Sequence, residues 1–167
     1  MLLLNLTGQI VISVLANRRL KTYNVTMFRL KLEQKKILKT IGQDFGLKFI
    51  VVFGSYAVGT ENEESDLDIA IYFKEEAKGD PKTFGRIIFG LQKVFRGKDV
   101  DLSFLNNANP LFRYEVAMSG KLLYGNEIAF LEFKAFAYRD FMDSRSLHDL
   151  ESTLIEKRQK LLRKTYG

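Results

Sequence analysis

The sequence predicts an α+β (mixed α/β) fold, with one core sheet flanked by helices and a C-terminal helical tail. Short runs rich in β-branched and aromatic residues, typical of strands, alternate with stretches of helical apolar spacing in the order α-β-β-α-β. From Glu127 onward, only the helical spacing remains. Strands interleaved with helices and followed by helices alone are typical of this fold class.

The element boundaries follow from the periodicity and from the glycine and proline positions. Gly46 ends the first helix, and Asn109 with Pro110 begins a later one, because asparagine caps helices and proline fits the first helical position. The predicted helices cover 27–45, about 84–95, 110–119, 127–141 and a second tail helix from about 147, and the predicted strands cover 47–53, 66–73 and 99–105.

The composition limits the chemistry that the chain can perform. Its 167 residues, 46% of them hydrophobic, are enough for one domain with a sizeable core. Because the chain has no cysteine and a single histidine, thiolate and multi-histidine metal sites are excluded. Any metal must therefore have oxygen ligands, which favours Mg²⁺ or Mn²⁺. The formal net charge of +6 suits an anionic partner, such as nucleotide phosphates, RNA or an acidic protein surface.

Residues 1–26 form an N-terminal extension that the sequence leaves open to three interpretations. They are an extra strand, a partner-binding arm, or residues upstream of the functional start at Met27. The apolar run is too short to span a bilayer, and its basic residues follow it, which is the wrong order for a signal peptide. We therefore expect a cytoplasmic protein with no membrane partner.

Three aspartates stand out because each interrupts an apolar strand. Asp66 and Asp68 alternate with apolar residues on one predicted strand, and Asp101 lies opposite the apolar face of a later one. Neighbouring carboxylates repel each other and are costly to desolvate unless a cation neutralises them. If the strands are neighbours, the three side chains converge on one face.

The Gly54-Ser55 pair follows the first predicted strand and breaks it. Glycine lets a phosphate approach the backbone, and the amides and the serine hydroxyl can donate to it. A phosphate-binding turn beside three carboxylates suits two Mg²⁺ ions that clamp the attacking and leaving oxygens of a phosphoryl or nucleotidyl transfer. Each feature alone is a weak signal, and an Asp-x-Asp is more often an exposed strand edge.

These residues resemble a known family. Gly54-Ser55, then ten residues, then Asp66-Leu67-Asp68 is similar to the signature of the polymerase-β-like nucleotidyltransferases, and "FGSYAVGT" with "SDLDIAIYF" resembles their minimal branch. The resemblance implies that Asp66, Asp68 and Asp101 are catalytic and metal-binding, and that Gly54 and Ser55 bind the triphosphate of ATP. "LFRYEVAMSGKLLY" and "FKAFAYRDFMD" further resemble the MntA-type antitoxins of HEPN–MNT pairs, and the resemblance covers about 27–164.

The resemblance implies the activity and the partner. Such antitoxins silence a HEPN ribonuclease toxin by transferring AMP from ATP to a toxin tyrosine, so a homo- or hetero-oligomer is expected. Two alternatives stay open, namely a small molecule or RNA end as the acceptor, and a non-catalytic antitoxin that occludes its toxin. We divide the chain into the extension 1–26, a nucleotidyltransferase core 27–109, and a helical segment 110–167 packed on the core.

The helix after Asn109 adds two residues whose role the sequence leaves open. Arg113 and Tyr114 either face the nucleotide or toxin, or simply pack. His148 lies far from the motif along the chain and is expected to be a surface or packing residue.

Overall fold

The computed structural model describes residues 2–4, 10–16, 19–25, 29–62, 64–75 and 81–166. Its strands are β1 (Leu2–Leu4), β2 (Ile10–Ala16), β3 (Arg19–Val25), β4 (Leu47–Val52), β5 (Leu67–Phe73), β6 (Val100–Phe104) and β7 (Lys121–Gly125). Its helices are α1 (Leu32–Asp44), α2 (Gly54–Val58), α3 (Pro81–Val94), α4 (Pro110–Ser119) and α5 (Glu127–Tyr166).

The core is a mixed four-stranded sheet in the order β6-β5-β4-β7. Strand β4 pairs antiparallel with both β5 and β7, whereas β5 and β6 are parallel. The parallel pair is connected through α3, because parallel neighbours need a crossover. This architecture confirms the predicted α+β (mixed α/β) class.

Helices cover both faces of the sheet, so the central strands are buried on both sides. On one face, α1 and α3 contribute Leu38, Ile41, Ile87 and Leu91 to a core with alternate residues of β4 and β5. On the other face, α4 and α5 bring residues that pack on Phe49, Val51 and Ala70, namely Val116, Ala117, Phe130, Phe133 and Ala137. Burying both faces fixes the strand register, because a one-residue slip would turn every side chain to the opposite face.

Strand β7 was not predicted. It follows directly after Gly120, where α4 was correctly predicted to stop, and it pairs with β4 at the edge of the sheet. Its sequence, Lys-Leu-Leu-Tyr-Gly, shows neither helical spacing nor a clear alternation. The pairing with β4 and the packing against α1 therefore decide its conformation, rather than its own residue pattern.

The predicted pair of tail helices is one continuous helix, so the expectation of a second helix near 147 is wrong. No glycine or proline lies between Glu127 and Tyr166, and α5 continues through all 40 residues. Its first part is buried against the sheet through Phe130 and Phe133. Its last part is exposed, with Leu150 and Leu161 at 55% and 64% of their surface.

The N-terminal strands β1, β2 and β3 form a separate three-stranded antiparallel sheet. This is more strand structure than the single extra strand that was one of the three expectations. The proposed domain division remains a prediction, although β7, which lies beyond the expected boundary at 109, belongs to the core sheet. Among the described helices, none combines the length and apolar character needed to cross a membrane.

Candidate active site

The pairing of β4 with β5 places the Gly54-Ser55 turn beside Asp68. The ladder continues one residue past Val52, where the Phe53 amide donates to the Asp68 carbonyl over 3.0 Å. The chain then turns into α2 at Gly54, whose φ of +64° is a left-handed conformation that favours glycine. A Cβ atom at Gly54 would run into a carboxylate oxygen of Asp68. The glycine is therefore needed for its conformation and also for the space that Asp68 occupies.

The parallel pairing of β5 with β6 brings the next carboxylate alongside. Asp68 and Asp101 are direct register partners, and paired residues on neighbouring strands point to the same face. The Leu67 amide donates to the Asp99 carbonyl over 2.7 Å, which anchors the start of both strands. Asp66 stands one residue before β5. The register therefore brings Asp68 and Asp101 together as predicted, and Asp66 is near enough for its charge to act on Asp68.

The carboxylates lie at the end of the sheet face that α4 and α5 cover. Ile69 and Ile71 enter the core under α1 and α3, whereas Ala70 packs with the residues of α4 and α5. Since side chains alternate along a strand, Asp68 shares the face of Ala70. Asp68 is half-buried, whereas Asp66 and Asp101 are exposed.

The electrostatics of the cluster are repulsive. Burial raises the pKa of Asp68 above its ordinary value of 3.8, the nearby charges of Asp101 and Asp66 raise it further, and a backbone hydrogen bond at Asp68 partly opposes them. Within residues 29–62, 64–75 and 81–166, no cationic side chain forms an ion pair with these aspartates. The cluster therefore holds negative charge that a bound cation would neutralise.

The residues present fit a hard divalent cation that shares its ligands with a substrate. In the described part of the chain, no three histidine, cysteine, aspartate or glutamate side chains form a complete metal cage. Mg²⁺ does not require one, because it commonly binds through one or two carboxylates together with substrate phosphates and water. The neighbouring carboxylates of Asp68 and Asp101 supply such a partial ligand set.

The two residues that the sequence left open on α4 both pack. Arg113 pairs with Asp140 over 3.2 Å and lies 5.3 Å from the Phe136 ring centre. Tyr114 stacks on Phe141 with their ring centres 4.6 Å apart. These contacts hold α4 against α5 and direct neither side chain to the carboxylates. The side chain of His148 lies outside the described part of the chain.

Sequence reasoning overlooked the steric role of Gly54. It also overlooked two cations, Arg96 and Lys98, that line a cavity on the face of the core sheet opposite the carboxylates. Gly54 was assigned only to phosphate approach, although its missing Cβ also makes room for Asp68. A cavity of about 540 Å³ is lined by Tyr56, Leu67, Arg96 and Lys98, among others. Because Leu67 points away from the carboxylate face, this cavity lies on the other side of the sheet. The Arg-Gly-Lys run before β6 was the signal available in the sequence.

Comparison with known proteins places this geometry in a family. The model of the polymerase beta nucleotidyltransferase domain matches residues 35–129, which include the turn and the three aspartates. The protein adenylyltransferase MntA of Aphanizomenon flos-aquae is 30% identical over 125 residues, covering 71% of this chain and 82% of that protein. The MntA of Shewanella oneidensis is 31% identical over 98 residues, covering 58% and 68%.

A solved structure supports the fold independently. A chain from the crystal structure of a toxin-antitoxin with AMP-PNP superposes with a TM-score of 0.53 at 23% identity, covering 80% of this chain and 98% of that one. At this identity, the likeness concerns the fold alone. Since the family model spans more than half of the chain and a curated relative aligns over most of its own length, the chain belongs to the polymerase β nucleotidyltransferases, among the MntA protein adenylyltransferases.

Proposed function

We propose that this chain is a Mg²⁺-dependent protein adenylyltransferase that transfers AMP from ATP to a tyrosine of a partner HEPN-type toxin and thereby acts as its antitoxin. The observation that carries the proposal is the contact of the Gly54 turn with Asp68, beside the register partner Asp101. Its curated relatives bear the name protein adenylyltransferase, and a neighbour by fold comes from a toxin-antitoxin with AMP-PNP.

In this proposal, the turn binds the triphosphate and the carboxylates bind the metal. Gly54 and Ser55 bind the triphosphate of ATP through backbone amides and the serine hydroxyl. Asp66, Asp68 and Asp101 hold Mg²⁺ or Mn²⁺, which neutralises charge on the attacking and leaving oxygens when it is bound. Asp68 is half-buried on β5, which keeps its carboxylate in the fixed orientation that in-line transfer requires.

We assign the proton of the acceptor to Asp101, which lies on β6 at the edge of the sheet, beside Asp68. Its side chain is exposed, whereas that of Asp68 is half-buried, so an incoming protein hydroxyl reaches Asp101 before Asp68. A tyrosine hydroxyl with a pKa of about 10 is a weak nucleophile at neutral pH and needs such a base. The tyrosine oxygen forms a bond to the α-phosphorus, the bond to pyrophosphate breaks, and the hydroxyl proton goes to Asp101.

The partner supplies the acceptor, and the last part of α5 supplies a surface on which it can dock. This part exposes apolar side chains, with Leu150 and Leu154 each at 55% and Leu161 at 64%. Among the described residues, α5 packs on α4, β4 and β7, and the residues it buries there lie in its first part. An exposed apolar row on a long helix is typical of a protein-binding surface.

Intact-mass spectrometry of the cognate toxin tests the proposal. After incubation with MgATP, the toxin should gain the mass of one or more AMP groups, and chelation of Mg²⁺ with EDTA should prevent the gain. Asp101→Asn should abolish it, whereas Asp44→Asn, which changes an exposed aspartate at the end of α1, should leave it intact.

Two results would redirect the proposal. No adduct on the toxin, with full inhibition retained by the Asp101→Asn protein, would favour an antitoxin that only occludes its partner. Transfer of AMP to a small molecule or an RNA end, with none to the toxin, would keep the enzyme and change its acceptor.

A further inference from the structure

A second charged region lies at the edge of the core sheet, in a groove between α1 and β7. The groove has a volume of about 990 Å³, and every residue of β7 lines it. We call it the basic groove, after its cationic lining residues Arg29, Lys35, Lys39, Lys48, Lys74 and Lys121. None of the described residues that line it is an aspartate or a glutamate.

Most of this positive charge is not neutralised by the protein. Lys48 lies 3.9 Å from Glu132, and both side chains are exposed, so this pair is weak. For the other five cations, no ion pair is present within the part of the chain that the structure describes. Lys35 and Lys39 lie one turn apart on α1 and therefore share a face. Like charges held this close favour an anionic ligand.

One end of the groove lies far from the three aspartates, whereas Lys121 at its other end pairs with Val52, near Gly54. Lys48 is near the start of β4 and Lys74 follows the end of β5, whereas Gly54 follows the opposite end of β4. The six residues of β4 separate these ends by roughly 17 Å, at about 3.3 Å for each residue. A ligand at Lys48 and Lys74 therefore lies outside the carboxylate cluster.

The residues of the groove favour a nucleic acid over a protein ligand. Lysine is depleted at protein–protein interfaces, whereas lysine and arginine dominate contacts to phosphate backbones. The chain's own N-terminus is a poor occupant, since residues 1–28 carry Arg18, Arg19 and Lys21 and no acidic residue. Most of the polar side chains that line the groove are cations, so few of them could recognise individual bases.

We propose that the basic groove binds the sugar–phosphate backbone of single-stranded nucleic acid, without strong sequence preference. Positively charged grooves that follow a backbone are typical of such proteins. The phosphates would replace the missing counter-charges of Lys35, Lys39 and Lys74. This ligand is additional to ATP and independent of the proposed transfer reaction.

Fluorescence anisotropy with labelled, mixed-sequence single strands tests the proposal on the full-length protein. Separate measurements with RNA and with DNA show which nucleic acid supplies the phosphates, and binding of either one supports the proposal. We expect dissociation constants on the order of 1–100 µM at physiological salt, and a negative slope of log affinity against log salt of about 0.7 for each phosphate contacted. Lys35→Gln/Lys39→Gln/Lys74→Gln should weaken binding at least tenfold and reduce that slope by about 2.

The matched control carries the same change of net charge elsewhere. Lys157→Gln/Lys160→Gln/Lys164→Gln removes three exposed lysines from the end of α5 and should change affinity less than about threefold. An equal loss in both triple variants would overturn the groove as the site. Failure of both RNA and DNA to bind at about 50 mM salt would also overturn the proposal. Equal affinity for a polyglutamate peptide would overturn it as well, because it would indicate an acidic protein ligand. All six lysines are exposed, so both variants should keep the melting temperature of the parent.

Discussion

The carboxylate cluster and the basic groove each concentrate charge of one sign, and they lie on opposite sides of β4, which pairs with β5 on one side and with β7 on the other. They differ in how rigidly the charges are held. Asp68 is a short, half-buried side chain at the start of β5, and register alone brings Asp101 beside it. The groove cations are long side chains, and Lys35, Lys39 and Lys74 are exposed. Burial, together with the charges of Asp101 and Asp66, raises the pKa of Asp68, so we expect specific chemistry there and salt-sensitive binding in the groove.

The largest effect should come from the carboxylate cluster, the more rigid of the two regions. Asp66→Asn should lower the rate of AMP transfer by about a thousandfold or more, because an amide cannot supply the negative charge that the metal ions need. Single-turnover kinetics with the toxin as acceptor measure this loss. Lys39→Gln in the groove is the matched charge change and should leave the rate within about twofold. Similar losses in both variants would contradict the separation of the two regions.

Gly54→Ala tests whether space for Asp68 is essential. The new methyl group would collide with the Asp68 carboxylate, and the left-handed φ costs alanine about 1–2 kcal/mol. We expect a loss of transfer rate of about a hundredfold together with reduced stability in urea. Gly85→Ala in α3 is the control, since nothing lies within 4 Å of the added methyl group. Full activity in Gly54→Ala would show that Asp68 can move without consequence.

Ligand-induced stabilisation separates the two regions without measuring activity. At about a hundred times its dissociation constant, MgATP should raise the free energy of unfolding by about 2.7 kcal/mol. For a chain of 167 residues, this corresponds to a rise in melting temperature of about 5–10 °C. Asp66→Asn/Asp68→Asn should abolish this rise, while the triple groove variant should retain it. A rise that survived in the double variant would mean that these aspartates are not the ligands.

Ser55→Ala should have a smaller effect than the loss of an aspartate. It removes one hydroxyl donor from the phosphate turn and leaves the backbone amides, so we expect a loss of about 1–3 kcal/mol in transition-state binding. The ratio kcat/KM for ATP measures it. Ser119→Ala, which removes an exposed hydroxyl bonded to its own helix, is the control. If Ser55→Ala proved more damaging than Asp66→Asn, the assigned roles would have to be exchanged.

The smallest effect concerns the stability of the ligand-free protein. Because the pKa of Asp68 is raised in the fold, the folded state binds its proton more tightly than the unfolded state does. The contribution of Asp68 to stability therefore falls as the pH rises from about 3.8 through the raised pKa, and it is lowest above that pKa. Asp68→Asn should stabilise the ligand-free protein near pH 7.5 by about 0.5 kcal/mol, and this gain should shrink toward pH 4.

Urea denaturation at the two pH values measures that difference. Lowering the salt concentration should enlarge the gain at pH 7.5, because like-charge repulsion is screened by ions. A gain that was the same at both pH values would point to an effect of side-chain shape instead of charge.

Local signals in the sequence determined several features of this protein correctly. The Asn109 cap is present, since its side chain accepts from the Phe112 amide over 2.8 Å, and α4 begins at Pro110 as predicted. The strand that carries Asp68 alternates as its sequence indicates. A cap and an alternation depend on residues within a few positions of one another, so the sequence alone is enough to predict them.

Only the tertiary structure decided which distant residues meet. Asp68 and Asp101 are 33 positions apart, and their pairing depends on the parallel register of β5 with β6. The Gly54–Asp68 contact follows from the antiparallel ladder between β4 and β5, and β7 is a strand because β4 offers it an edge. The basic groove gathers residues from positions 29 to 126. Burial of both sheet faces fixes these registers, and that burial is a property of the packed fold and of no single segment.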